Sequence, residues 1–261
     1  MSAPGRPKRE LLPLGGMARS AKGALPPAGR LFLVPSLLGA IAPEQVLPAH
    51  TIAVARRLAH FVVENAKPAR AFLKALAPEL PLQQIGIEEL GEAPLAQRCA
   101  ALLAPARAGR DLGLLSDAGC PGIADPGALL VAQAHREGIA VVPLVGPSSI
   151  ALALMASGMN GQGFTFHGYL PVKADARAQA IRRLEADSQR TAHAQIFIET
   201  PYRNAALLES LVAACKPATR LCVAADLTLP TESVVSRAIR EWRGADFARY
   251  AKRPAIFLLQ V

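Results

Sequence analysis

The sequence has few residues that bind metals or form disulfides, and their spacing does not suit either role. Its four cysteines contain no C-x-x-C pair, and its five histidines are scattered along the chain. We therefore expect reduced, mostly buried thiols, no disulfide framework and no metal site. Cys120 lies in a Gly- and Pro-rich loop where a reactive thiol is conceivable, but no His or Lys is adjacent to activate it.

Long apolar runs are also lacking. No run approaches the ~20 residues that span a bilayer, and Pro, Gly and charged residues interrupt the N-terminus too often for a signal peptide. With 51% hydrophobic and 19% charged residues, the 261-residue chain has the composition of an ordered globular protein. We expect no membrane association and a cytoplasmic location.

Several common functional motifs are missing. The sequence contains neither G-x-G-x-x-G nor G-x-x-x-x-G-K-S/T, so a standard dinucleotide fingerprint and a P-loop are both excluded. It also lacks G-x-S-x-G, which argues against a hydrolase with a nucleophile elbow.

Positive charge, in contrast, is in excess and concentrated at one end. The formal net charge is +9, and residues 1–30 hold six Lys or Arg and one Glu, which leaves +5 there. We interpret residues 1–29, rich in Gly, Pro, Ala and Ser, as a basic, flexible arm. The remaining +4 is explained about as well by solubility as by RNA binding.

Apolar runs alternate with helical patterns through the first half, which predicts a parallel sheet covered by helices. The predicted strands there are 30–34, 60–64, 84–87, 112–115 and 139–145. The predicted helices are 52–59, 68–76, 95–108, with Pro105 ending it early, and 128–137. The second half is predicted to hold strands 164–170, 195–199, 221–226 and 255–259 and helices 149–157, 172–187 and 204–215. The fold class is thus α/β, with an N-terminal domain at 30–147 and a C-terminal domain at 148–261.

Four predicted strands end in polar or Gly-rich loops, which begin at Ser116, Gly146, Glu199 and Asp226. In open α/β folds, loops at the carboxyl ends of strands tend to converge on one ligand crevice. Gly119 and Gly146 would let a ligand approach the backbone closely. Ser148 and Ser149 either cap a helix or contact the ligand, and capping does not exclude contact. Asp125 is more typical of a turn than of a site. These residues predict a polar ligand in a cleft without naming it.

The segments LSDAGCPGIADPG, VVPLVGPSSIALALMASGM, FHGYLPVK, FIETPYRN and LTLPTES resemble, in order and spacing, the tetrapyrrole methylase superfamily of class III S-adenosylmethionine-dependent methyltransferases. The likeness is greatest to its ribosomal RNA small subunit methyltransferase I branch. The resemblance implies two α/β domains with S-adenosylmethionine between them, and a homodimer. The cofactor contacts it implies are Asp117, Ala118, Gly119, Ile123, Ser148, Ser149, Tyr202, Leu227 and Thr228.

The resemblance also implies the reaction, which is methylation of ribosomal RNA, on a ribose 2′-hydroxyl, or of a related RNA or ribosomal subunit. Glu199 and Glu64 are our candidates for a base near that hydroxyl. Alternatively, Glu199 has no role in the reaction and only pairs with Arg203, which lies one helical turn away. Two further functions stay open: methylation of a tetrapyrrole or other small molecule, and cofactor binding without methylation.

The chain departs from the branch on the acceptor side. Where the branch has a G-N-L loop and an A-E-D-T-R segment, this chain has VPSLLGAI at 34–41 and VENAKPARAF at 63–72. Asn65 therefore replaces an Asp, and the Arg is displaced or replaced by Lys67. Leu229 stands where the branch has Lys in L-T-K. Methyl-donor binding is thus better supported than the identity of the acceptor.

Overall fold

Two five-stranded sheets organise the chain in the computed structural model, which describes residues 28–91 and 96–261. The predicted basic arm at 1–29 lies almost wholly outside the described residues. The first sheet has the strand order β3-β2-β4-β1-β5, and its neighbouring strands are all parallel. These strands are β1 (Leu31–Val34), β2 (His60–Val63), β3 (Gly86–Glu89), β4 (Leu112–Leu115) and β5 (Val141–Pro143). The predicted parallel sheet is confirmed.

Helices cover both faces of the first sheet. They are α1 (Ala49–Arg57), α2 (Ala66–Leu76), α3 (Ala96–Leu102), α4 (Ala104–Arg107) and α5 (Ala128–Arg136). One face packs on α1 and α2, and the other packs on α3, α4 and α5. Because β4 is central and buried along its whole length, the loop that follows it is held from several sides.

The second sheet is mixed, with the order β6-β7-β10-β8-β9. Its strands are β6 (Phe164–Tyr169), β7 (Ala194–Ile198), β8 (Arg220–Ala225), β9 (Ser233–Ala238) and β10 (Ala255–Gln260). β6 runs parallel to β7, whereas β10 runs antiparallel to both β7 and β8. One face packs on α7 (Ala174–Thr191) and α8 (Asn204–Ala214), and the other face packs on α6 (Ser149–Ser157).

Several predicted bounds shift by two to four residues, as for α7 and β5, and two differences are larger. The sequence did not predict β9, an edge strand whose residues are all only partly buried. The single helix predicted at 95–108 is two helices that meet at Leu103. Pro105 does not end a helix: it occupies the first turn of α4, where the missing N–H of proline is tolerated.

The α/β fold class is confirmed, and the domain limits at 30–147 and 148–261 stay a prediction. In the described part of the chain, we find no helix with the length and apolar character needed to cross a membrane.

Candidate functional site

A cleft opens at the carboxyl ends of the first sheet, between it and the second sheet. It consists of two adjoining cavities of about 270 and 150 Å³, which share four lining residues, Leu38, Ala118, Ser149 and Ile198. The larger cavity is otherwise lined by residues in and next to the second sheet. The smaller one is lined by the loop after β4, the start of α6 and Phe166 of β6. The predicted convergence of strand ends on one crevice is therefore observed.

The loop after β4 is shaped by Gly119 and anchored to the loop after β1. Gly119 has a φ of +71°, a conformation that favours glycine. Its carbonyl accepts a hydrogen bond of 2.9 Å from the Ser36 N–H, and the Ser36 hydroxyl donates to the Ser116 carbonyl at 3.0 Å. The backbone at Ala118 and Gly119 is thus presented to the cleft in one fixed conformation.

Gly146 has a different role from the one expected. A Cβ atom at this position would lie 2.3 Å from Pro35 Cβ and 2.6 Å from Pro35 Cγ. The absence of a side chain therefore lets the loops after β1 and β5 pack together, rather than making room for a ligand.

Three acidic side chains gather at the rim of the cleft. Asp117 is exposed and accepts a 2.6 Å hydrogen bond from the Asn65 amide, while its own N–H donates to Glu64 Oε2 at 3.2 Å. Burial raises the pKa of Asp125 to about 6, and the charges of Glu64 and Asp117 add to the rise. Asp117 and Glu64 do not line the two cavities. Asp117 as a cofactor contact and Glu64 as a base both stay predictions.

Cys120 is a partly buried thiol whose surroundings do not activate it. Its Sγ donates to the Pro147 carbonyl at 3.4 Å, and burial raises its pKa, to which the nearby Asp125 charge also contributes. A thiol with a raised pKa is a poor nucleophile. Among the residues described, no group of three His, Cys, Asp or Glu side chains is arranged to hold a metal ion.

The two serines at the start of α6 face the cleft. Ser148 is the N-cap of the helix, and its hydroxyl accepts from the Ala151 N–H at 3.5 Å. Ser148 lines the smaller cavity, whereas Ser149 lines both. Since the first turn of a helix has free N–H groups, this edge of the cleft suits a polar or anionic ligand group.

Glu199 follows β7 and lines the larger cavity. Its side chain is 0% exposed, and Oε1 accepts from Arg203 Nε at 2.9 Å, Arg203 Nη2 at 2.7 Å and the Thr200 N–H at 2.7 Å. The structure thus supports the pairing role. A role as a base stays a prediction.

Leu227 and Thr228 follow β8. Leu227 lines the larger cavity, and Thr228 has a φ of +73°, which a β-branched residue adopts only under constraint. The Thr228 hydroxyl and Glu199 Oε2 are buried without a hydrogen-bond partner among the described residues. Buried polar atoms of this kind at or beside a cavity fit a ligand that supplies the missing partners.

Other predicted residues are more peripheral. Ile123 lines the smaller cavity and is half exposed, whereas Tyr202 is 81% exposed and does not line either cavity. Several lining residues were not predicted from the sequence, among them Leu38, Tyr169 and residues 254–256, which lie just before and at the start of β10. Tyr169 lies in the quoted FHGYLPVK segment, so a signal for it was present. No pattern marked the other two.

Comparison with known proteins gives consistent results. The chain matches the family of tetrapyrrole (corrin/porphyrin) methylases over residues 49–242. It is 36% identical over 138 residues to ribosomal RNA small subunit methyltransferase I of Escherichia coli O157:H7, a match that covers 53% of this chain and 47% of that protein. The corresponding protein of Xylella fastidiosa is 34% identical over 207 residues, or 79% of this chain and 71% of the relative.

The chain thus spans about half the length of the E. coli relative. Among solved structures, the methyltransferase CobJ superposes with a TM-score of 0.59 at 17% identity, over 89% of this chain and 94% of the other. At that identity, the likeness concerns the fold alone.

Proposed function

Since the chain belongs to the family of tetrapyrrole (corrin/porphyrin) methylases, we propose that it is a methyltransferase that uses S-adenosylmethionine to methylate ribosomal RNA. The observation that carries this proposal is the cleft, where the loop after β4 and the start of α6 face the ends of β7 and β8. The substrate class follows from the relatives, which are ribosomal RNA small subunit methyltransferases.

The residues of the cleft fit the proposed cofactor. Ala118, Gly119 and Ser149 offer backbone and hydroxyl groups for its polar part, while Ile198 and Leu227 supply apolar surface. Glu199 lines the larger cavity, and its buried Oε2, which has no hydrogen-bond partner among the described residues, provides a further polar group. Thr228 lines neither cavity and stays a predicted contact. When bound, S-adenosylmethionine supplies an electrophilic methyl carbon attached to a positively charged sulfur.

The chain itself contributes orientation and exclusion of water. The loop 116–120 is held by the two hydrogen bonds from Ser36, and apolar side chains form much of the cleft wall. A methyl transfer needs the attacking oxygen, the carbon and the sulfur in line, so such fixed geometry accelerates it. We propose that a base, for which Glu199 and Glu64 are the candidates, contributes less than this positioning. We also propose that the acceptor hydroxyl is that of a ribose.

The test is methyl transfer from S-adenosylmethionine labelled on its methyl group. The full chain is incubated with small ribosomal subunits, with their naked RNA, or with uroporphyrinogen, and the label in each product is counted. We expect label in RNA, and its position is then mapped by comparing RNA from cells with and without this protein. Label in the tetrapyrrole alone would refute the RNA substrate, and cofactor binding without transfer to any acceptor would refute the activity.

We further propose that the protein is a homodimer. A groove of about 630 Å³ beside α6 is lined mainly by apolar side chains, and Met155 within it is 80% exposed. Exposed apolar surface of this kind is typical of an interface between subunits. Sedimentation should give the mass of a dimer for the native chain and of a monomer for Met155→Glu. A monomeric native chain would refute the proposal.

A further inference from the structure

An aromatic and basic surface lies on the second-sheet side of the mouth of the cleft. We define the mouth surface as Tyr169, Tyr202, Arg203 and Lys252. The tyrosines are 59% and 81% exposed, so their rings are available to a partner. Arg203 is partly exposed, and Lys252 is exposed.

The four residues lie together although they come from three segments. Tyr169 ends β6, pairs with Ile198 of β7 and lines the larger cavity. Tyr202 and Arg203 belong to the 3-10 turn Pro201–Arg203, which follows β7 directly. The Lys252 N–H donates to the Pro201 carbonyl at 2.9 Å, which holds the third segment against this turn.

The orientation of the basic group is fixed. Arg203 Nε and Nη2 both bind Glu199 Oε1, and this pair raises the pKa of Arg203, with a smaller contribution from the nearby Tyr169. Glu199 is thus a positioning residue for Arg203. The buried carboxylate aligns a guanidinium that is partly exposed to solvent and lies near Tyr169.

We propose that the mouth surface binds a single-stranded segment of the acceptor RNA, with nucleobases stacked on Tyr202 and Tyr169 and phosphates bound by Arg203 and Lys252. Single-stranded nucleic acids are bound by this combination of aromatic rings and cations. A side chain as exposed as Tyr202 presents a free face to an unstacked base. This inference rests on the proposed function and assigns Tyr202 to RNA rather than to the cofactor.

The test measures the binding of a labelled single-stranded RNA of about 12 nucleotides, a length within the usual range of such sites, by fluorescence anisotropy. Tyr202→Ala should weaken RNA binding about 5- to 100-fold through loss of one stacked base, while Tyr202→Phe should bind like the native chain. The affinity for S-adenosylhomocysteine should stay within about twofold in both variants, because Tyr202 does not line the cleft.

The basic residues are tested by salt dependence. Lys252→Ala should reduce the slope of log Kd against log salt by about 0.7, which corresponds to one phosphate contact on a single strand. Arg190→Ala, which removes one exposed charge at the opposite end of the second sheet, should leave the slope unchanged. For Tyr202→Ala, the control is Val261→Ala, which removes exposed apolar surface away from the mouth.

The outcomes separate this inference from the proposed function. If the native chain neither binds nor methylates RNA, the proposed function and this inference both fail. If the native chain methylates RNA but Tyr202→Ala binds RNA equally well, only this inference is overturned. Tyr202→Ala could also lose as much affinity for S-adenosylhomocysteine as for RNA. That result would assign Tyr202 to the cofactor and would also overturn this inference.

Discussion

Replacing Gly146 by Ala adds one methyl group at a position where there is no room for it, and this should disturb the cleft. The added Cβ would lie 2.3 Å from Pro35 Cβ, 2.6 Å from Pro35 Cγ and 3.2 Å from Leu47 Cδ2. The proline ring has no alternative rotamer that moves it away, and its backbone continues directly into Ser36. The contact can be relieved only by separating the loops after β1 and β5.

The size of the effect follows from the distance. Carbon atoms pack at about 3.5–4.0 Å, so the two loops must separate by roughly 1 Å or more. Overpacking of this kind costs about 1–3 kcal/mol. For a chain of this size, a loss of about 2 kcal/mol lowers Tm by about 4–8 °C. Because Ser36 moves with Pro35, its hydrogen bonds to Ser116 and Gly119 weaken, and the affinity for S-adenosylhomocysteine should fall as well.

Gly161→Ala is the matched control. Its added Cβ would meet no atom within 4 Å, and its φ is outside the left-handed region. The control should therefore unfold within about 0.5 kcal/mol of the native chain. Thermal and urea unfolding of both variants, together with calorimetric titration of S-adenosylhomocysteine, measure the difference. Equal stability and equal affinity of Gly146→Ala and Gly161→Ala would refute the packing argument.

Three further substitutions test other parts of the structure. Burial raises the pKa of Asp125 from 3.8 to about 6, so ionisation of this carboxyl group destabilises the folded state. The destabilisation is absent below about pH 4, grows up to about pH 6 and is complete above it. At pH 7.5, Asp125→Asn should thus be more stable than the native chain by about 1 kcal/mol, after allowance for partial exposure. At pH 4 the variant should show no such gain. Equal differences in the free energy of urea unfolding at both pH values would contradict this prediction. Glu185→Ala should lose about 2–3 kcal/mol, since the buried carboxylate accepts from the Lys216 N–H and the Thr219 hydroxyl, and urea unfolding showing a loss below 0.5 kcal/mol would contradict it. Asp226→Asn should lose about 2 kcal/mol by breaking the 2.7 Å pair with Arg253, with weaker S-adenosylhomocysteine binding in calorimetry, and unchanged stability and affinity would disprove that role.

The sequence predicted most of the elements because buried parallel strands are continuous apolar runs between amphipathic helices. It failed at β9, Ser233–Ala238, where only two adjacent valines are strongly apolar. Among the described strands, this one lies at the edge of the second sheet and pairs only with β8, so its side chains need little burial. Strand order was also out of reach, since each crossover between parallel strands can pass to either side of the sheet.

The candidate site was predictable where a strand end carried a recognisable motif. The start of β10 was missed for a topological reason. β10 runs antiparallel to β7 and β8, so its amino end lies at the edge where their carboxyl ends lie. A search for polar residues after strands therefore overlooks Pro254 and Ile256, which precede or begin a strand and still line the larger cavity.

Two positions that depart from the expected acceptor-side motifs, Leu229 and Asn65, each contact another residue near the cleft. A Cβ on Gly39 would lie 2.8 Å from two carbons of the Leu229 side chain, so the altered loop at 34–41 touches the residue that replaces Lys in L-T-K. Asn65, in place of an acidic residue, donates to Asp117 at 2.6 Å, where a second carboxylate would repel the first. One change replaces a cation by an apolar contact, and the other removes an anion from the rim. At Leu229 and Asn65, the departures from the expected motifs are thus each matched by a neighbouring residue of this chain.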